Sequence, residues 1–193
     1  MPLVLEATFS LQQKQRDRSG RHASQGACLP DRETPQCPHC GRKMKYRDRV
    51  RRHTRQTGGD KVWFEIERYK CESCNRLYRA IPAFLALFKH YCLGLITAVL
   101  DCRILPREYE EEYNYPVENT MERWKRWEEL NRRDIEGYIR SIGHRMLGYS
   151  EELLTASVSL HDTMKSSVKR WLGVILRMIY NSGGELLENY KID

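Results

Sequence analysis

At 193 residues, with 40% apolar residues and a formal net charge of +7, the chain is long enough for one ordinary domain or two small ones and too short for a large enzyme. No stretch approaches the roughly 18 uninterrupted apolar residues of a membrane span, and no apolar signal core follows a basic start, so a soluble, cytoplasmic protein is expected. Seven cysteines without a secretion signal point to reduced thiols rather than a disulfide framework.

The positive charge is concentrated in one place. Residues 41–79 carry 13 Lys and Arg against 5 Asp and Glu, a net +8 that exceeds the excess of the whole chain. Such clustering favours a polyanion partner such as nucleic acid, although the surfaces of small domains are often basic without one.

Residues 1–35 show little apolar periodicity and a polar, Gly/Ser-containing middle, QQKQRDRSGRHASQG, which reads as a mobile tail. Its first nine residues, MPLVLEATF, are an optional strand or docking segment.

Residues 36–80 form the first informative unit. Cys37-Pro-His-Cys40-Gly-Arg is followed by Cys71-Glu-Ser-Cys74-Asn-Arg, with 30 residues between Cys40 and Cys71. Each pair can form a tight turn presenting two thiolates, with Gly41 and Asn75 behind them as residue types that tolerate a left-handed backbone. Four sulfurs suit one closed, tetrahedral, structural zinc site. His39 inside the first turn points away from the metal its neighbours would bind, and Cys28, Cys92 and Cys102 have no matching spacing; the last two fall in an apolar helical pattern and read as small core residues. Between the pairs, Thr57-Gly-Gly-Asp60 is a hairpin turn signal, and KVWFEIERYK beyond it is rich in aromatic and β-branched residues. The near arm is the longer one, which implies a bulge or loop.

Alternation along the near arm predicts that Lys45, Arg47, Arg49, Arg51 and His53 share one face while Met44, Tyr46 and Val50 share the other. Guanidinium groups about 6 to 7 Å apart can meet successive phosphates. The competing reading is a solvated edge strand made basic to resist aggregation.

Residues 81–130 read as helical and helix-turn-helix-like. Leu93, Ile96, Val99 or Leu100, and Ile104 recur at helical spacing, LPREYEEEYNYP is a connector or short exposed helix, and PVENTMERWKRWEEL begins with a proline suited to a first turn. In that last segment Val117, Met121 and Trp124 fall on one side, with Trp127 at the margin; Asn119, Thr120, Arg123 and Arg126 are candidate DNA contacts of a recognition helix. Any surface helix shows a similar division. Residues 131–193 continue as helix, with one stripe through Ile135, Ile139, Ile142, Met146, Tyr149 and Leu153 and another through Leu160, Met164, Val168, Trp171, Ile175 and Ile179, ended by Asn181-Ser-Gly-Gly184. These helices pack on the preceding region or supply a homodimer contact. The fold class expected is therefore α+β: a zinc-ribbon β-hairpin followed by a mostly α-helical region.

Nothing points to catalysis. Glu110, Glu111 and Glu112 are sequential and diverge on a helix or strand, no phosphate-cradling glycine loop is present, and no nucleophile stands with a base, so neither an enzyme nor a small-molecule substrate is expected.

The order CPHCG, IERYKCESCNR, IPAFLALFKHY and NTMERWKRW resembles a family of small, largely uncharacterised bacterial zinc-ribbon proteins of mobile genetic elements, similar in turn to the N-terminal zinc-ribbon and helix-turn-helix regions of insertion-sequence transposases. The similarity covers roughly residues 37–130. Leu87 stands where a second proline is expected, and Val117 where a small polar helix cap is more usual. The resemblance implies DNA binding. Two other readings stay open: an adaptor docking a recombinase or polymerase through the ribbon, and a metal-dependent nuclease or recombinase of unfamiliar fold.

Overall fold

A computed structural model describes residues 2–5, 25–27, 35–86 and 89–187. It is α+β, an antiparallel three-stranded unit followed by helices. The strands are β1 (Pro2–Leu5), β2 (Gln25–Ala27), β3 (Lys45–Arg55), β4 (Lys61–Lys70) and β5 (Leu77–Pro82). The helices are α1 (Leu93–Leu100), α2 (Pro106–Tyr113), α3 (Glu118–Leu147), α4 (Glu152–Thr155), α5 (Leu160–Ser167) and α6 (Trp171–Asn181).

β4 is central: it runs antiparallel to β3 along its whole length and to β5 at its C-terminal end. The expected hairpin turn is a single 3₁₀ turn at Thr57–Gly59, where Gly58 and Gly59 take φ of +82° and +88°. Within residues 1–35, which the sequence suggests as a tail, Pro2–Leu5 pairs in parallel with β5 and Gln25–Ala27 in parallel with β4. A main-chain ladder needs no side-chain periodicity, so open edges on β5 and β4 can recruit such short segments. Cys28, Leu87 and the Leu153 side chain lie outside the described residues.

One core joins the segments 36–80, 81–130 and 131–193. Phe64, Ile66 and Ile81 on the sheet meet Ile96 and Val99 of α1, Met121, Trp124, Ile135 and Ile139 of α3, and Trp171, Ile175 and Ile179 of α6. Ile135 and Ile175 are fully buried, and truncating either to Ala removes about 2 to 5 kcal/mol. A smaller cluster of Met44, Tyr69, Tyr78 and Ala80 packs around the cysteines.

Several helical expectations are corrected. α3 is one helix of 30 residues that runs across the boundary between segments 81–130 and 131–193. Val117 offers no side-chain cap; instead a carboxylate oxygen of Glu110 accepts the Glu118 N–H at 2.5 Å, doing the work of a polar N-cap. The helix ends at Gly148 with φ of +71°, so Met146 and Tyr149 stay exposed and the first apolar stripe stops at Ile142. Trp127, expected at the margin, is buried, its indole N–H donating to the Leu187 carbonyl at 2.7 Å. Cys102 is no core residue but sits exposed in the turn after α1 with φ of +56°.

The second stripe is broken at Val168–Arg170 into α5 and α6. Glu136 of α3 accepts the Leu160 and His161 backbone N–H groups, which fixes α5 across α3. α6 then turns Trp171 inward, where its indole N–H donates to Asp101 at 2.7 Å. Two tertiary anchors on different elements outweigh the local tendency to continue one helix.

Candidate metal centre and cationic hairpin

The two Cys-x-x-Cys turns are built alike. Cys37 N–H donates to the Arg42 carbonyl at 2.8 Å and Cys71 N–H to the Arg76 carbonyl at 2.9 Å. Gly41 and Asn75, the residues behind each second cysteine, take φ of +68° and +59°. The first turn leads into β3 and the second joins β4 to β5; pairing of Lys45 with Lys70 therefore brings both turns to one end of the hairpin.

There the four sulfurs of Cys37, Cys40, Cys71 and Cys74 lie within 4.8 Å of one another. Cys37 and Cys74 Sγ are 3.6 Å apart and Cys40 and Cys71 Sγ 3.4 Å apart. Both separations are far beyond a disulfide's length of about 2.05 Å. They are close to the edge of about 3.8 Å of a tetrahedron whose centre is about 2.3 Å from each sulfur, so the set fits a divalent ion such as zinc. Cys37 and Cys71 are buried, Cys74 is half-buried and Cys40 is exposed. His39 is exposed and outside the cluster.

The thiols divide electrostatically. Burial raises Cys37, but hydrogen bonds from Tyr78, the Cys40 and His39 backbone and Cys74 outweigh it and bring the thiol down to about 6. A backbone hydrogen bond at Arg42 lowers Cys40, yet burial and the other three sulfurs push it up to about 12. Cys71 is lowered, chiefly by the Cys74 backbone, and Cys74 is raised because burial and its sulfur neighbours overcome the Arg76 backbone bond. Four crowded sulfurs cannot all carry charge without a cation; a bound metal lets all four be thiolates. The Tyr78 hydroxyl, 3.5 Å from Cys37 Sγ, is held protonated by burial and can orient that ligand. Sequence reasoning missed Tyr78, which only the β4–β5 pairing brings to the sulfurs.

Along β3 the expected single row of cations is corrected by a bulge between Tyr46 and Asp48. Cross-strand partners share a face, so Tyr46, opposite Tyr69, joins the face of Arg49, Arg51 and His53, while Lys45, opposite Lys70, leaves it. The two tyrosine rings meet edge to face at 6.1 Å.

The cations near the four sulfurs are matched by carboxylates. Lys45 lies 2.8 Å from Glu72, Arg47 3.8 Å from Asp48, and Arg49 3.0 Å from Glu67 and 3.7 Å from Glu65. Asp48 also takes a two-pronged hydrogen bond from Arg68. Arg52 belongs to the inner face opposite Phe64, where its guanidinium donates to the Ala86 and Lys89 carbonyls.

Towards the turn, Glu65 is the cross-strand partner of Arg51 but pairs with Arg49, and rings lie against the cations. The Arg51 guanidinium lies over Trp63 at 5.2 Å and that of Arg55 over Tyr115 at 4.9 Å. His53 is stacked on His90 with ring centres 4.7 Å apart and an interplanar angle of 10°, and tilted against Trp63 at 4.9 Å. Burial, then the neighbouring His90 and the cations Lys61, Arg55 and Arg52, lower the His53 pKa. The hairpin tip meets the α2–α3 turn, where Gly58 N–H donates to the Tyr115 carbonyl at 3.4 Å. Arg55, Lys61, Trp63, His90 and Tyr115 were not among the expected contacts; extending the alternation past His53 reaches Arg55, but nothing local in the sequence brings His90 or Tyr115 to the hairpin.

On α3, Asn119, Arg123 and Arg126 are exposed on its first turns and Thr120 is half-buried, its N–H donating to the Val117 carbonyl. Glu122 and Lys125 pair at 2.9 Å beside them.

A family model described as a domain of unknown function (DUF6431) matches residues 37–124, just under half of the chain. That stretch runs from the first cysteine pair to the buried Trp124 of α3. No curated protein and no solved structure matches the chain.

Proposed function

We propose that this protein binds nucleic acid, with DNA the expected partner, through a hairpin whose base is held by one structural zinc ion, and that it is not an enzyme. The observation that carries the reading is the sorting of charge along the hairpin. Lys45, Arg47 and Arg49 have carboxylate neighbours, whereas Arg51, Arg55 and Lys61 form no ion pair with a described carboxylate. Cations backed by rings keep their N–H groups available to phosphate oxygens. Four sulfurs complete a tetrahedron and leave no open position for metal-assisted hydrolysis.

The cysteine turns with β3–β5 support a zinc-ribbon assignment, and α2 and α3 joined by residues 114–117 have the order of a helix-turn-helix. In this reading Asn119, Thr120, Arg123 and Arg126 are base-contact candidates. The N-terminus of α3, an ordinary phosphate site, already holds the Glu110 carboxylate, so the hairpin is the primary contact. On the resemblance of residues 37–130, the proposed setting is a mobile genetic element, as a regulator or a transposition accessory.

The test is binding of zinc-loaded protein to short DNA across a salt series. Three phosphate contacts give a log–log slope of about −2 to −3, and absence of retention at low salt removes the proposal. A second reading, protein interaction through the far end, is favoured by the exposed Met146, Leu147, Tyr149, Leu154 and Val158. Light scattering over a protein dilution series checks it: a dimer that M146E dissociates supports that contact, and a monomer throughout removes self-association.

A further inference from the structure

The aromatic rings at the turn half of the hairpin are more than supports for the cations. Trp63, His53 and His90 form a continuous file, tilted at the first junction and nearly parallel at the second. Trp63 and His53 are half-buried, and His90, at the open end, is exposed. Arg51 lies over Trp63 at one end of the file, and Arg55 and Lys61 pair across the strands beside His53. A second file, Tyr115 stacked on Tyr91 and Tyr91 edge-on to Trp124, anchors the neighbouring turn to the core.

A duplex presents phosphates and groove edges, and its bases already stack on one another, so it has no use for an exposed ring at the end of a stack. An unpaired base does: every base has a π-face, and single-strand sites combine such rings with cations that track the backbone. The fall in the His53 pKa favours a neutral ring, compatible with stacking rather than repulsion between two cations.

We propose that the turn half of the hairpin holds single-stranded nucleic acid, with an unpaired base continuing the Trp63–His53–His90 stack and the flanking phosphates held by Arg51, Arg55 and Lys61. This rests on the nucleic-acid reading above and narrows its substrate class. His90 suits a test because its structural hydrogen bonds come from the main chain: its carbonyl accepts from Arg55 N–H at 2.5 Å and Thr54 Oγ1 at 3.4 Å, and neither is lost when the ring is removed.

The experiment compares the zinc-loaded full chain on four fluorescent probes: a short oligothymidylate, its ribose counterpart, an abasic DNA strand of equal length, and a duplex. Base-bearing strands are expected to bind about tenfold tighter than the abasic strand, and H90A to reduce that preference while changing duplex binding little; W63L, which also removes the ring behind Arg51, is expected to reduce the preference and to weaken every probe. If W63L folds poorly, H90A and the intrinsic fluorescence of the unaltered chain remain. Trp124, Trp127 and Trp171 are 3%, 7% and 1% exposed, so quenching by oligothymidylate and not by the abasic strand reports Trp63. Preference for ribose or deoxyribose identifies the source of the strand and supports stacking in either case. Equal affinity for abasic and base-bearing strands overturns the stacking site while leaving the nucleic-acid reading intact. No binding to any probe at low salt overturns both.

Discussion

The two halves of the β3–β4 hairpin have nearly the same complement of cations and use them in opposite ways. At the metal end Lys45, Arg47 and Arg49 face Glu72, Asp48, Glu65 and Glu67, and Arg68 grips Asp48. At the turn end Arg51 and Arg55 lie on Trp63 and Tyr115. An exposed pair such as Lys45–Glu72 contributes about 0 to 1 kcal/mol, so its main effect is to neutralise charge that a partner could otherwise meet. A run of basic residues is therefore a poor measure of a binding surface until its cross-strand neighbours are known.

The largest way to break the comparison is to remove the metal end. C37S or C71S, or chelation, is expected to abolish zinc retention and unfold residues 36–80, since structural zinc contributes on the order of 10 kcal/mol to such sites. The helical signal in circular dichroism should persist in part, because the core of α1, α3 and α6 does not include the cysteines. Retention of zinc by both variants contradicts the ligand set. Falling pH should release the metal as well, because every thiolate must be regained from a proton.

Next in size are the turn-end cations. Replacing Arg51, Arg55 and Lys61 with Ala should flatten the salt slope of nucleic-acid binding by about 2 to 3, whereas replacing Lys45, Arg47 and Arg49 should change it by less than about 1. Equal effects erase the distinction between the halves. R52A separates stability from binding: loss of its two carbonyl contacts on the inner face should destabilise the fold by about 1 to 3 kcal/mol with the salt slope unchanged, as read by thermal melting beside anisotropy.

Removing one carboxylate from a paired cation sharpens the contrast from the other side. E67Q removes the nearer partner of Arg49 and should steepen the salt slope by up to about 1, at some loss of stability because Glu67 is buried and also accepts from the Tyr69 hydroxyl at 2.7 Å. The smallest expected effect is at Asp48, whose pKa is lowered mainly by hydrogen bonding from Arg68. A carboxyl depressed in the folded state stabilises above its unfolded pKa of about 3.9 and loses that contribution as pH falls through the folded value. D48N should therefore melt slightly earlier than the parent at neutral pH and converge with it in strong acid; a constant gap across pH contradicts the pairing.

Much of this molecule was legible in short-range pattern. The spacing of Cys37, Cys40, Cys71 and Cys74 announced a four-sulfur cluster, Gly41 and Asn75 announced its left-handed turns, and Thr57-Gly-Gly-Asp60 announced the hairpin, because each of these is decided by the backbone freedom or donor chemistry of a few adjacent residues. The unequal arms foretold the bulge on β3, yet not that it would exchange Tyr46 for Lys45 on the cationic face. Register decides that exchange, and register is set by the partner strand.

The remaining features are long-range. The break between α5 and α6 and the pairing of α2 with the start of α3 follow from Glu136, Asp101 and Glu110 reaching groups on other elements. Likewise the ring file at the turn draws Trp63 and His53 from the hairpin and His90 from beyond β5, while Tyr115, under Arg55, comes from the turn before α3. Sequence by itself determined where sulfur and positive charge would be concentrated; only the tertiary structure decided which cations would be neutralised and which would be backed by rings, because pairing energy depends on distances that chain separation does not encode.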